Sequence, residues 1–104
     1  MTERCLYEAA IAAYGEREQS AVAMEECSEL IRAINKYHRN PKKENRENLV
    51  EEIADVLIMI EQLKIMYKVT DEQIDEAVTM KLLRLFEKLD KEGHIDDKYN
   101  EVEE

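Results

Sequence analysis

Apolar residues recur every three or four positions along most of the chain, which is the period of an amphipathic helix. The first stretch runs from about Thr2 to Tyr14, and Gly15 follows it as a residue type that commonly ends helices. The second begins near Ser20, a candidate N-cap, and ends before Pro41. We therefore predict two helices before Pro41.

The rest of the chain predicts two more helices. The residues after Pro41 are polar and show no period, so they predict a loop, and a third helix follows over about residues 46–67. Thr70 and Gln73 have the spacing of a capping box, in which each side chain bonds the backbone N–H of the other residue. This motif predicts a fourth helix over about residues 71–91.

The scarcity of turn residues favours an all-α fold. The chain has 104 residues but only two Gly and one Pro, too few for the turns of an all-β or α/β fold. Short loops favour antiparallel neighbours, so we expect a protomer that resembles a four-helix bundle. Residues 1–93 form the predicted domain, and residues 94–104 form an acidic C-terminal tail that we expect to be flexible.

Charge and cysteine content narrow the function classes. Fifteen Lys and Arg against 25 Asp and Glu give a net charge of −10, which argues against nucleic acid or anionic membrane as a partner and favours a cation. Cys5 and Cys27 are too few for a disulfide framework and form no zinc-binding pattern. Because the sequence also shows no signal peptide and no apolar run of membrane-spanning length, we predict a cytoplasmic protein.

The most informative feature is where the acidic residues fall around the predicted helices. At about 100° per residue, Glu26 lies within the apolar sector of the second helix and Glu29 lies at its edge. Glu52 and Asp55 repeat this arrangement on the third helix, whereas Glu25 points outward. Two consecutive helices therefore each direct a pair of carboxylates, spaced i and i+3, toward the interior.

Four convergent carboxylates need to be neutralised, because like charges repel strongly at low dielectric. A hard divalent cation with oxygen ligands does this, and we expect Mg²⁺, with Mn²⁺ as an alternative. A single Glu is better explained as part of a solvated helix face, but two inward pairs are not. A di-iron centre is excluded because it requires Glu-x-x-His motifs, and neither histidine of the chain lies in one. The predicted metal ligands are Glu26, Glu29, Glu52 and Asp55.

The order and spacing of these acids resemble a known family. Glu25-Glu26-Cys-Ser-Glu29, followed after 22 residues by Glu52-Ile-Ala-Asp55, resembles the EExxE…ExxD signature of the MazG-like nucleotide pyrophosphohydrolases. The likeness covers roughly residues 14–88 and includes the segment Gly15-Glu-Arg-Glu-Gln19 before the first motif. The family that the chain resembles is all-α.

The resemblance implies a function and a set of site residues. It implies Mg²⁺-dependent hydrolysis of a nucleoside triphosphate to the monophosphate and pyrophosphate, with the four inward carboxylates as metal ligands. Our leading hypothesis for its role is housecleaning of nucleotide pools or clearance of non-standard nucleotides. Glu25 is a candidate to orient or deprotonate the attacking water, although a purely solvated role fits it equally well. Lys81 and Arg84, spaced i and i+3 on the fourth helix, are candidates to bind phosphate; exposed solubilising charges are the alternative.

The sulfur-containing side chains give two predictions about packing. Cys27 is on the apolar face of the second helix, so we predict a buried, inert thiol. Four methionines are predicted to fill the core or to contact another subunit, because Met adapts to irregular gaps. These are Met24, Met59, Met66 and Met80.

The third helix carries more apolar surface than one protomer needs. The run Val56-Leu-Ile-Met-Ile60 makes it apolar nearly all round, so we predict that a second subunit covers part of it. The resemblance implies the same, as a homodimer or a dimer of dimers.

Two other functions compete with the leading hypothesis. Phosphoribosyl-ATP pyrophosphohydrolase shares the acidic helical arrangement and the release of pyrophosphate, but its flanking sequence is a poorer match. A non-catalytic helical interaction module, whose acids bind a structural cation or a basic partner, belongs to a different class. The module predicts that Glu52→Gln leaves function intact, whereas both enzymes predict its loss.

Overall fold

The computed structural model describes residues 1–96, and within them it has four α-helices and no strand. The helices are α1 (Glu3–Tyr14), α2 (Glu16–Arg39), α3 (Lys43–Tyr67) and α4 (Asp71–Lys91). The predicted all-α fold with four helices is thereby confirmed. Most of the predicted acidic tail, residues 97–104, lies outside the described residues.

A single residue, Gly15, joins α1 to α2. Its φ of 90° lies in a region that L side chains rarely adopt, so glycine allows the chain to change direction without a loop. No helix-breaking residue follows, and Glu16 and Glu18 suit the positive end of the helix dipole. The prediction that α2 begins near Ser20 is therefore wrong: Ser20 lies inside α2, and its hydroxyl is 2.6 Å from the Tyr67 hydroxyl.

The connection between α2 and α3 is also shorter than predicted. It consists of Asn40 to Lys42, because α3 begins at Lys43 rather than near residue 46. Buried Asn45 donates its side-chain amide to the backbone carbonyl of Asn40 at 2.8 Å, which fixes the turn. At the far end of α3, Lys68 adopts the left-handed conformation that commonly ends a helix.

The chain divides into two compact units, and the first comprises Met1–Val69 with helices α1, α2 and α3. Contacts across this unit pair the start of α2 with the end of α3, for example Gln19 with Gln62 and Ser20 with Tyr67. The helices α2 and α3 are therefore antiparallel, as predicted. Their buried apolar residues are Ala23, Ala33, Met59 and Met66.

Two predictions about sulfur-containing residues change with the structure. Cys27 is exposed, so the predicted buried thiol is wrong; its position on α2 lies beside the face that packs on α3 rather than within it. Met59 and Met66 fill the core as predicted, whereas Met24 and Met80 are exposed. Core filling is therefore excluded for the last two, and subunit contact stays a prediction.

The second unit begins at Thr70 and contains α4. The predicted capping box is present: the Gln73 backbone N–H donates to the Thr70 hydroxyl at 3.1 Å, and the Thr70 backbone N–H donates to the Gln73 side chain at 2.9 Å. Apolar residues of α4 are exposed, including Val78, Leu82 and Leu85. Among residues 1–96, no helix combines the length and the apolar character needed to cross a membrane.

Candidate metal centre

Three carboxylates from α2 and α3 meet in the first unit. Glu26, Glu52 and Asp55 each place one carboxylate oxygen within 4.8 Å of the other two. Glu52 and Asp55 lie three residues apart, so one turn of α3 presents both on the same face. The antiparallel packing of α2 brings Glu26 opposite them. We call these three residues the carboxylate triad.

The triad is partly withdrawn from solvent and lacks a neutralising group among the described residues. Oxygen Oε1 of Glu52 is buried and has no hydrogen-bond partner in the described part of the chain. Loss of hydration raises the pKa of Glu52, and the nearby charges of Asp55, Glu26 and Glu29 raise it further. A hydrogen bond to the Asp55 side chain also raises this pKa. Desolvation likewise raises the pKa of Glu26, followed by the charges of Asp55, Glu29 and Glu25.

The composition of the triad fits a hard divalent cation. An unpartnered buried oxygen costs free energy unless it is protonated or bound by a donor or an ion. Three carboxylate oxygens within one small volume are the ligand type that Mg²⁺ and Mn²⁺ prefer, and such an ion would satisfy Glu52 Oε1 and offset the mutual repulsion. The residues present therefore suit a metal centre, and the donor set alone does not specify which ion.

Glu29 and Glu25 flank the triad on α2 without being part of it. Glu29 accepts a hydrogen bond from Arg32 Nη1 at 3.0 Å, and the pair is largely exposed. Glu29 is nevertheless close enough for its charge to raise the pKa values of Glu26 and Glu52. Glu25 is exposed, as predicted, and its backbone carbonyl accepts a hydrogen bond from the Ser28 hydroxyl. The structure thus brings together three of the four predicted ligands.

The predicted phosphate-binding residues lie in the second unit. Lys81 and Arg84 are one turn apart on α4, and both side chains are exposed. Their exposure is compatible with ligand binding and equally with solvation, so the role stays a prediction.

Two grooves in the first unit were missed at the level of sequence. The α1/α2 groove has a volume of about 480 Å³ and is lined by Ala13, Tyr14, Glu18, Gln19 and Val22. The α2/α3 groove has a volume of about 530 Å³, and its lining includes Met24, Cys27, Ile31, Leu63 and Tyr67. Helical periodicity identifies which residues share a face, but a groove depends on how two helices diverge, which periodicity does not determine.

Comparison with known proteins supplies one match. The family model described as the MazG nucleotide pyrophosphohydrolase domain matches residues 15–91, which include both acidic motifs and α4. Neither the curated proteins nor the solved structures contain a match to this chain.

Proposed function

Because the chain belongs to the MazG nucleotide pyrophosphohydrolase domain family, we propose that it hydrolyses nucleoside triphosphates to monophosphates and pyrophosphate with the help of Mg²⁺. The observation that carries this proposal is the carboxylate triad with its unpartnered Glu52 oxygen. A site that holds uncompensated carboxylates on two helices is suited to a cation that must also contact phosphate. Housecleaning of nucleotide pools in the cytoplasm is the role that we propose for this activity.

The proposed metal ligands are Glu26, Glu52 and Asp55, with Mg²⁺ as the ion and Mn²⁺ as an alternative. Glu29 is the proposed fourth ligand, and it would exchange its exposed pair with Arg32 for the cation. That exchange costs little because exposed ion pairs contribute about 0–1 kcal/mol. A bound cation supplies positive charge that attracts the triphosphate and offsets the charge that develops during phosphoryl transfer.

In the proposed reaction, water attacks the α-phosphorus of the substrate. A bond forms between the water oxygen and the α-phosphorus, and the bond from that phosphorus to the bridging oxygen breaks, which releases pyrophosphate. Glu25 is the proposed residue that orients this water or accepts its proton, because it lies on α2 next to the triad and is open to solvent. Lys81 and Arg84 are the proposed partners of the phosphate oxygens.

We also propose that the protein is a homo-oligomer, either a dimer or a dimer of dimers. Support comes from α3, where Val50, Ile53, Leu57 and Ile60 recur at helical spacing and each is more than 40% exposed. A continuous apolar stripe on a helix is typical of a surface buried in an interface. Leu57→Asp is expected to dissociate the oligomer in light-scattering measurements, whereas Ala12→Asp, which adds the same charge to an exposed position of α1, is expected to leave it assembled.

The decisive experiment is product analysis with the eight standard ribo- and deoxyribonucleoside triphosphates, in the presence of Mg²⁺ or of a chelator. We expect Mg²⁺-dependent formation of monophosphate and pyrophosphate, and a loss of kcat/KM of about 100-fold or more in Glu52→Gln. Glu51→Gln is the matched control, because it makes the same change at the neighbouring, exposed position.

Other outcomes point to the competing functions. Turnover of phosphoribosyl-ATP with none of the eight standard substrates would indicate the pyrophosphohydrolase of histidine biosynthesis. If neither group is hydrolysed and calorimetry detects no Mg²⁺-dependent nucleotide binding, the chain is a non-catalytic interaction module.

A further inference from the structure

We propose that the α1/α2 groove binds the nucleobase of the substrate, with Tyr14 stacked on the base and Glu18 and Gln19 as hydrogen-bond acceptors. This inference rests on the proposed function and adds a substrate preference to it. The Glu18 carboxylate in this groove only accepts hydrogen bonds, and it favours a base that carries an exocyclic amino group.

The first argument is position. Val22 precedes Glu26 by four residues, so it lies one turn away, at about 6 Å along α2 and about 40° around it. Gln19 precedes Glu26 by seven residues, about 10 Å, on the same face. The groove therefore continues the face that carries the triad's α2 residue. A nucleotide whose phosphates lie at the triad can extend its sugar and base along this face.

The second argument is the size and the aromatic wall of the groove. Its volume of about 480 Å³ lies within the usual range of small-molecule sites, about 300–1,000 Å³. Tyr14 is the last residue of α1 and is 66% exposed although it is aromatic, so its ring is available to a ligand. Ala13 and Val22 add small apolar surfaces beside it. A flat base stacks favourably on such an aromatic ring.

The third argument is the polarity of the two hydrogen-bonding residues in the groove. Gln19 is 6% exposed and donates one N–H of its amide Nε2 to Gln62 at 2.7 Å, and its amide oxygen is an acceptor. Glu18 contributes a carboxylate, which only accepts when ionised. Cytosine, adenine and guanine each present an amino donor, whereas uracil and thymine present a carbonyl oxygen at the corresponding position. That carbonyl would face the Glu18 carboxylate and be disfavoured.

The larger α2/α3 groove is less suited to a base. The α2 residues of that groove lie about 60–200° around the helix from Glu26, on a different side from Val22 and Gln19. The Ser20 and Tyr67 hydroxyls in its lining bond each other. Ser28 donates to a backbone carbonyl. The polar groups of this groove are thus already paired with one another or with the backbone.

The first test measures the affinity of a non-hydrolysable α,β-imido deoxycytidine triphosphate by titration calorimetry with Mg²⁺, together with KM and kcat for deoxycytidine triphosphate itself. Tyr14→Ala is expected to weaken binding and raise KM about 5- to 150-fold, the usual effect of losing one stacked base, with little change in kcat. Tyr14→Phe is expected to restore the affinity because it keeps the ring. Tyr67→Ala, the matched change in the other groove, is expected to bind like the wild type.

The second test compares deoxycytidine and deoxyuridine triphosphates, whose bases differ at one position by an amino group or a carbonyl. We expect kcat/KM to favour the cytosine substrate by about 10-fold or more, and Glu18→Gln to reduce that ratio severalfold. Glu16→Gln removes the same charge from an exposed residue outside the groove and is expected to keep the ratio.

The outcomes distinguish this inference from the proposed function. If the wild type hydrolyses nucleotides but Tyr14→Ala binds normally, or if Tyr67→Ala weakens binding instead, the base lies elsewhere and only the groove assignment is wrong. Equal turnover of the two pyrimidine substrates, unchanged in Glu18→Gln, overturns the amino-group preference. If the wild type neither binds nor hydrolyses any nucleotide, both proposals are wrong.

Discussion

Gln19 on α2 donates its side-chain amide to the Gln62 amide oxygen on α3 at 2.7 Å, and both residues are about 95% buried. Because the bond joins residues 43 positions apart, it fixes the register of two antiparallel helices. That register places Glu26 opposite Glu52 and Asp55. A buried polar contact between the helices is thus linked through the packing to the geometry of the carboxylate triad.

Gln62→Leu is expected to destabilise the protein by about 1–3 kcal/mol, the cost of leaving a buried amide such as that of Gln19 without its partner. Urea denaturation measures the change. The double variant Gln19→Leu with Gln62→Leu is expected to recover much of the loss, because it removes both polar groups together. Equal losses in the single and double variants would show that shape, not hydrogen bonding, determines this contact.

Glu52→Gln is expected to raise the melting temperature of the metal-free protein by several degrees. The substitution removes a charge from the partly buried triad, and the new amide can donate to the neighbouring carboxylates. Glu51→Gln is the control, since it removes one negative charge as well, but at an exposed site. An equal rise in both variants would mean that the overall charge of −10, rather than the triad, limits stability.

The metal-free protein is expected to lose stability as pH rises above about 4.5, the ordinary pKa of a glutamate. Burial and neighbouring carboxylates raise the pKa values of Glu26 and Glu52, so the folded state retains protons that the unfolded state has released. The stabilisation from these bound protons is complete below about pH 4.5, and it is lost as the pH rises through the raised pKa values of the two glutamates. Melting curves in chelator from pH 4.5 upward measure the slope.

The loss of stability per pH unit is expected to be smaller in Glu52→Gln, because this variant removes one of the two glutamates with raised pKa values. It is expected to be unchanged in Glu51→Gln. Parallel slopes in all three proteins would place the pH dependence outside the triad.

Helical periodicity predicted the four helices and the inward direction of Glu26, Glu52 and Asp55, because burial and amphipathic spacing depend on local sequence. It missed the start of α2, because Gly15 at positive φ replaces a loop with a single residue. It also placed Cys27 inside the core, although the surface of α2 at that position is covered by neither α1 nor α3. The pairing of Glu29 with Arg32 depends on side-chain conformations that spacing does not determine.

Adding Mg²⁺ is expected to raise the melting temperature of the wild-type protein, because a ligand that binds only the folded state stabilises it. At a free concentration 100 times the dissociation constant the gain is about 2.7 kcal/mol, which for a domain of about 100 residues corresponds to roughly 10–20 °C. The stabilisation should vanish on addition of chelator. It should also be largely absent in Glu52→Gln and Asp55→Asn, which replace a charged ligand with a neutral one, and be retained in Glu51→Gln. A Mg²⁺ response of equal size in Glu52→Gln would place the cation away from the triad, since the buried oxygen of Glu52 could not then be the group that the ion satisfies.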